Sequence, residues 1–204
     1  ELEMYEEALQ CFDRVLEIDG NDARALGNKG IALSSLERYD EALQCFDRAI
    51  AMDENNVIAL HNKCHALTKL GRNEEELQCF DRILEIDEND AYAWNNKGHA
   101  LSSLERKEDA LQCYDRAIAI DENYVRALGN KGLTLSALER YDEALVCYDR
   151  VLKIDGNDVD ALGNKGLTFG ILKKYEEALQ CFDRVLEIDE NDARALGNKG
   201  IALS

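Results

Sequence analysis

The residues best suited to chemistry in this sequence are its histidines and cysteines. His61, Cys64 and His65 lie within one short segment, and His99 follows His65 by 34 residues. Histidines four residues apart lie one turn apart on a helix, where their imidazole nitrogens can bind a transition metal. Cys64, however, is expected to face the helix that packs against its own, away from the histidines. Too few ligands then remain for a closed site, and we predict no metal site.

No other pattern in the sequence is typical of catalysis. The chain contains no nucleophile elbow, no glycine-rich phosphate loop before a lysine and no metalloprotease helix motif. We therefore expect neither an enzyme nor a cofactor. An enzymatic role would require a catalytic domain beyond these residues.

Composition narrows the classes of partner. The 204 residues are 46% hydrophobic and 32% charged, with a net charge of −18. Nucleic acids and anionic membranes require clustered Lys and Arg, so both are excluded as partners. No apolar run approaches the ~20 residues that cross a bilayer.

The sequence repeats with a period of 34 residues, which is typical of stacked helical hairpins. Six of the seven cysteines follow this period. Full repeats are predicted at 23–56, 57–90, 91–124, 125–158 and 159–192. Residues 1–22 and 193–204 supply partial repeats, and the array 1–204 is expected to behave as one domain because no hairpin buries its apolar face alone.

Each repeat predicts two amphipathic helices. In helix A, positions 1–14 of the repeat counted from Ala23, apolar or small residues recur at helical spacing, and an N-cap residue precedes them. Helix B carries an apolar face with the same period. The predicted caps are Asp22, Asn56, Asp90, Asp158 and Asp192. The partial repeats supply helix B alone in 1–22 and helix A alone in 193–204.

This pattern resembles the tetratricopeptide repeat family over essentially the whole chain. One copy shows the matching residues, which are Leu26, Gly30, Leu33, Tyr39, Ala42, Phe46 and Ala49. The resemblance implies an all-α fold, a right-handed superhelical solenoid of antiparallel helix pairs, in which helix A lines the concave face. It also implies a scaffold for protein–protein interaction. The family's proline after helix B is missing, so the turn between repeats is expected to fray.

Cysteines equivalent in neighbouring repeats are expected to stay reduced. Their helices should lie about 8–10 Å apart, whereas a disulfide requires Cα atoms about 4.4–6.8 Å apart. We therefore predict seven free thiols and a reducing compartment such as the cytoplasm.

Charge divides unevenly between the helices. Helix A segments hold ten basic residues against one acid, and the rest of the chain sums to −27. This asymmetry predicts a basic groove that binds neutral-to-acidic peptides. Lys29 and its equivalents have an alternative role, which is to pair with acids of neighbouring helices.

Positions 2, 5 and 9 of helix A point into the groove in this family. The candidate ligand-binding residues there are Arg24, His61, His65, Tyr92, His99, Arg126 and Arg194. Position 6 is Asn in every copy, as Asn28, Asn62, Asn96, Asn130, Asn164 and Asn198. An amide offers one acceptor and two donors that match a peptide backbone, and the row resembles the asparagine ladder of protein O-glycosyltransferases. Local bonding of these amides to their own helices is an equal alternative.

The repeat 57–90 departs from the pattern, with Cys64 and Glu76 at the close helix contact and Asn73 in place of Tyr. One interpretation is drift, with Glu76 reaching solvent by a small helix shift. The other is a carboxylate held near His65 or Lys69 with its pKa raised by burial.

The partial repeats predict head-to-tail self-association. Together, residues 193–204 and 1–22 make one complete repeat, so apolar ends without caps are expected to join into an open superhelical fibre. The predicted contact surfaces contain Ala8, Phe12 and Val15 at one end, and Leu196, Gly200 and Leu203 at the other. This structural role is the alternative to a peptide-binding scaffold.

Overall fold

The computed structural model describes residues 2–204, which divide into two compact units, residues 2–104 and 105–204. The first unit contains α1 (Leu2–Ile18), α2 (Ala23–Ser35), α3 (Tyr39–Met52), α4 (Val57–Leu70), α5 (Asn73–Ile86) and α6 (Ala91–Ser103). The second contains α7 (Lys107–Ile120), α8 (Val125–Ala137), α9 (Tyr141–Ile154), α10 (Val159–Ile171), α11 (Tyr175–Ile188) and α12 (Ala193–Ala202).

The predicted fold class is confirmed. All regular elements between residues 2 and 204 are α-helices, and within each unit consecutive helices pack against each other. Even-numbered helices are the predicted helix A segments, and odd-numbered helices are the helix B segments. The apolar faces meet between them, because each helix buries only one side.

The predicted helix starts are also confirmed. Asp22, Asn56, Asp90, Asp158 and Asp192 each accept a hydrogen bond from the backbone N–H three residues later, at 2.7–3.0 Å. Tyr124 precedes α8 without such a bond. These caps satisfy amides that the first helical turn leaves unpaired.

An aspartate holds each turn between repeats in place of the missing proline. In the first turn Asp19 accepts a hydrogen bond from the Asn21 N–H at 3.0 Å, and the bond recurs at Asp53, Asp87, Asp121, Asp155 and Asp189. Arg48 also donates to the Gly20 carbonyl at 2.7 Å, and Arg150 to the Glu122 carbonyl at 3.0 Å. Neither contact was predicted from the sequence, where the missing proline led us to expect a turn that frays.

Glycine allows helices A and B to approach closely. A Cβ atom on Gly132 would lie 2.6 Å from Cε1 of Tyr148, and one on Gly166 would lie 2.6 Å from Cε1 of Phe182. The aromatic ring of helix B therefore lies directly on the glycine of helix A. In these two hairpins the contact sets the helix spacing and presents the opposite side of helix A to solvent.

Candidate functional site

The predicted ligand-binding residues lie at positions 2, 5, 6 and 9 of the even-numbered helices, and we call the surface that these positions form within each unit the groove face. Arg24, Asn28, His65, Tyr92, His99, Arg126 and Arg194 are at least partly exposed, and His61, Asn62, Asn96, Asn130, Asn164 and Asn198 are half-buried. Every one of them is therefore held by a rigid helix with at least part of its surface accessible to solvent.

In the second unit the structure brings four of these residues to one cleft. Arg126, Asn130, Asn164 and Arg194 line a cleft of about 470 Å³, together with Leu133, Asp160 and neighbouring residues. A smaller cavity of about 50 Å³ continues along α10 and α12, where Asn198 joins Asn164 and Arg194. This cleft combines cations, amides and an apolar wall, which are the groups that recognise a peptide.

In the first unit, His61 and Tyr92 are brought together. Their ring centroids lie 5.3 Å apart in an edge-to-face arrangement, and His61 Nε2 lies 2.8 Å from Oδ2 of Asp90, the cap of α6. Burial together with the nearby Lys69 lowers the pKa of His65, which favours its neutral imidazole. Its contribution to a basic surface is therefore small.

Lysine pairing reduces the basic charge predicted for helix A. Position 7 of helix A is Lys in every copy, and each ammonium lies 2.5–2.6 Å from an Asp carboxylate on the preceding helix B. The interpretation that these lysines pair with neighbouring acids is therefore confirmed. Apart from Lys69, the remaining cations of helix A are the predicted arginines, and Arg194 lies 3.5 Å from Asp160.

Two asparagines of the predicted ladder bond locally. Nδ2 of Asn62 donates to the Ile58 carbonyl, and Nδ2 of Asn96 donates to the Tyr92 carbonyl, both at 2.9 Å. In the first unit the local alternative therefore holds for these two side chains. Each retains a second N–H, so the bond orients the amide and leaves one donor for a ligand.

The expectation of seven free thiols is wrong, because Cys64 and Cys79 form a disulfide with Cα atoms 5.9 Å apart. The expected separation of about 8–10 Å applies to equivalent helices in neighbouring repeats. Cys64 and Cys79 belong instead to the two helices of one hairpin. Cys64 occupies the close contact that glycine fills in other repeats, so it faces helix B and lies away from the histidines. Among residues 2–204, no group of three or more His, Cys, Asp or Glu side chains is placed to hold a metal ion.

Of the two settings predicted for Glu76, the structure shows the buried carboxyl with a raised pKa, and its hydrogen-bond partner is Thr68. It is 2% exposed, so it does not reach solvent, and its Oε1 lies 2.7 Å from the Thr68 hydroxyl. The same hydroxyl lies 2.9 Å from the Cys64 carbonyl. Burial raises the pKa of Glu76, against opposing effects of the Thr68 hydrogen bond and of His99. A protonated Glu76 can donate to Thr68, which then donates to the carbonyl, so all three groups are satisfied.

Thiol titration is expected to find five thiols in the unfolded, unreduced chain and seven after reduction. The other five cysteines, Cys11, Cys45, Cys113, Cys147 and Cys181, are present as thiols. Burial raises the pKa of the Cys45, Cys147 and Cys181 thiols, so these react only after unfolding. Seven thiols before reduction, in protein purified without reductant, would contradict the Cys64–Cys79 bond.

Comparison with known families identifies the class of protein. Two family models described as Tetratricopeptide repeat match residues 23–56, 91–124, 125–158 and 159–192, and residues 58–90. The chain therefore belongs to the tetratricopeptide repeat family, whose members are generally non-enzymatic scaffolds. A comparison with curated proteins finds no match.

Solved structures show the same fold. YrrB, described as a TPR protein with an unusual peptide-binding site, is 26% identical with a TM-score of 0.74, covering 93% of this chain and 97% of its own. MamA from Desulfovibrio magneticus RS-1 is 19% identical with a TM-score of 0.77, at coverages of 84% and 97%. TTC0263 from Thermus thermophilus is 20% identical with a TM-score of 0.67, at 89% and 98%. None of the helices between residues 2 and 204 is long and apolar enough to cross a membrane.

Proposed function

We propose that this chain is a binding scaffold, and not an enzyme, that holds an extended neutral-to-acidic peptide on its groove face. The observation that carries the proposal is the cleft of about 470 Å³ in the second unit, lined by Arg126, Asn164, Arg194 and Leu133. Cations there attract carboxylates, amides bond to a peptide backbone, and leucine contacts apolar side chains. YrrB, a structure with the same fold, is described as having a peptide-binding site.

The six lysine–aspartate pairs make the proposal more specific. Since position 7 of helix A is neutralised, attraction depends on the arginines at position 2. Arg194 already lies near Asp160, and both side chains are exposed, so a ligand carboxylate can displace this weak contact. The proposed ligand is therefore acidic at a few positions and neutral at most others. The proposed partners include neither nucleic acid nor membrane.

Replacing Arg126 and Arg194 together with glutamine is expected to weaken a Glu-rich peptide about tenfold. Each exposed charge pair contributes about 0.5–1 kcal/mol, and about 1.4 kcal/mol corresponds to tenfold. The measurement is a fluorescence titration of a Glu-rich peptide and a Lys-rich peptide of matched length, at low and physiological salt. The Glu-rich peptide should bind more tightly, with the preference declining as salt rises.

The matched control is Arg140→Gln, which removes a cation that pairs with Glu143 beside helix B. It lowers the net charge away from the groove face and should leave binding unchanged. Tighter binding of the Lys-rich peptide would contradict the proposed ligand. If Arg140→Gln loses as much affinity for the Glu-rich peptide per charge removed as the double variant, the net charge of the chain, and not the groove face, determines binding.

A second candidate function is self-assembly. It is favoured by exposed surfaces on α1 and α12 whose sequences repeat those of helices that pack together within the chain. Residues 5–18 repeat the α11 sequence 175–188, and α12 repeats the first ten residues of α2. Leu196 on α12 is 51% exposed, whereas its α2 equivalent Leu26 is fully buried. On α12, Gly200 has open space where Gly30 meets the Phe46 ring.

We infer that α1 of a second copy can pack on α12 as α11 packs on α10. The contact would join Ala8, Phe12 and Val15 to Leu196, Gly200 and Leu203. The contact joins two different surfaces, so two associated copies still expose one unused α1 surface and one unused α12 surface. Further copies can therefore add without closing the assembly.

Gly200→Ala is expected to reduce self-association at least tenfold without destabilising the chain. A Cβ at Gly200 meets nothing within 4 Å in the single chain, but would collide with Phe12 of the second copy. Gly197→Ala, on the same helix and also in open space, is the control and should associate like the parent. Sedimentation over a wide concentration range gives the answer. A monomeric parent at all concentrations, or equal association of both variants, would contradict this contact.

A further inference from the structure

In the second unit, the groove face contains three parallel rows of different chemistry. Position 2 supplies a charged row, position 6 an amide row and position 9 an apolar row of exposed aliphatic side chains. The charged row is Arg126, Asp160 and Arg194, the amide row is Asn130, Asn164 and Asn198, and the apolar row is Leu133, Leu167 and Ile201. Each row takes one residue from each of α8, α10 and α12.

The dimensions of this surface follow from helix geometry. Along one helix, position 9 lies about 10 Å from position 2, and position 6 lies between them at about 6 Å from position 2. Across the helices, α8 and α12 each approach α10 with Cα atoms within 8 Å. Each row therefore advances by about 8–10 Å from one helix to the next.

This advance matches one turn of a polyproline II helix. Such a helix has three residues per turn and rises about 3.1 Å per residue, which gives about 9.3 Å per turn. In a β-strand, side chains return to the same side about every 6.8 Å. This spacing is shorter than the distance between neighbouring helices, so the side chains of a strand do not align with successive members of a row. A polyproline II segment also makes no internal hydrogen bonds, so its carbonyls and N–H groups remain available to the amide row.

The charged row indicates the order of charges in the ligand. Asp160 lies between Arg126 and Arg194 along the row, and its carboxylate is 3.5 Å from Arg194. A ligand that carries acid, base and acid on successive turns places an opposite charge beside each member. Acids on all three turns would instead place one carboxylate beside Asp160.

We propose that the second unit binds a polyproline II segment with an apolar residue at every third position. Its apolar side chains contact Leu133, Leu167 and Ile201, and its charges alternate in sign along Arg126, Asp160 and Arg194. This inference rests on the proposed peptide-binding function. It adds the conformation, the spacing and the charge order of the ligand.

The test compares two peptides of the same composition. The first consists of three triplets, each a charged residue, proline and leucine, with the charges ordered acid, base, acid. The second has the same residues reordered so that the leucines fall at every second position. The triplet peptide is expected to bind about tenfold or more tightly, and Leu167→Ser should remove most of that advantage. In the parent, a triplet peptide with a basic residue in its middle triplet should bind more tightly than one with an acidic residue there. Asp160→Lys should reverse this preference.

Equal affinity of the two spacings, or no effect of Leu167→Ser on the triplet peptide, would overturn the inference. If the Glu-rich peptide described above still binds in that case, the scaffold function stands and only the spacing is wrong. If no peptide binds, the proposed function fails as well. Val146→Ser, which changes an exposed aliphatic residue on α9, a helix B of the same unit, is the matched control and should leave the spacing preference intact.

Discussion

Gly132→Ala is expected to destabilise the chain by about 2–3 kcal/mol. The added Cβ would lie 2.6 Å from Cε1 of Tyr148, closer than carbon atoms approach. Tyr148 is fully buried, and its hydroxyl lies 3.3 Å from the Ser136 hydroxyl, so the ring has little room to move. Overpacking of this kind costs about 1–3 kcal/mol, and here it also separates α8 from α9.

Gly129→Ala is the control on the same helix. A Cβ at Gly129 meets nothing within 4 Å, so this variant should gain about 1 kcal/mol from the better helix propensity of alanine. The measurement is urea unfolding followed by circular dichroism, with the midpoint compared between variants. Similar midpoints for both variants would show that the close helix contact does not set the hairpin spacing.

Glu76→Gln is expected to stabilise the chain at pH 8, with the gain declining as the pH is lowered. Burial raises the pKa of Glu76 above its ordinary value of 4.5, so ionisation opposes folding. The contribution of Glu76 to stability is therefore fully present below its unfolded-state pKa of about 4.5 and is lost as the pH rises through the higher folded-state pKa. Glutamine keeps the shape without ionising, which removes this loss.

Glu75→Gln is the control next to it. Glu75 is exposed, and the hydrogen bond from Arg72 lowers its pKa, so any effect of this variant on the pH dependence should be small and opposite in sign. Unfolding by urea at several values between pH 5 and pH 8 separates the two. A Glu76→Gln gain that is constant across this range would contradict a buried carboxyl with a raised pKa.

The period of the sequence was sufficient to predict the fold. Gly30, Leu33 and Phe46 recur at fixed positions, and each repeat must bury the same apolar faces, so the pairing of helices follows from pattern alone. The turns between helices A and B were not predictable in the same way. Glu37, Glu105, Glu139 and Lys173 have φ of 59° there, a left-handed conformation that their residue types do not favour.

The site could be predicted only to the level of a surface. The repeat positions of Arg126, Asn130 and Arg194 predicted that they share the same side of helix A in their repeats. The structure places all three around one cleft. The lysine–aspartate pairs depend on distances between helices, which a pattern does not contain. The Cys64–Cys79 bond was missed for the same reason, because it depends on the spacing inside one hairpin.

The central proposal is that the groove face of helix A, and not the outer surface of helix B, holds the ligand. Amide chemical shifts or hydrogen exchange, measured with and without the Glu-rich peptide, test it most directly. We expect the changes in chemical shift or exchange to be concentrated in α8, α10 and α12, around Arg126, Asn164 and Arg194. The exposed sides of α9 and α11 should be unaffected. Changes confined to α7, α9 and α11 at saturating peptide would contradict it.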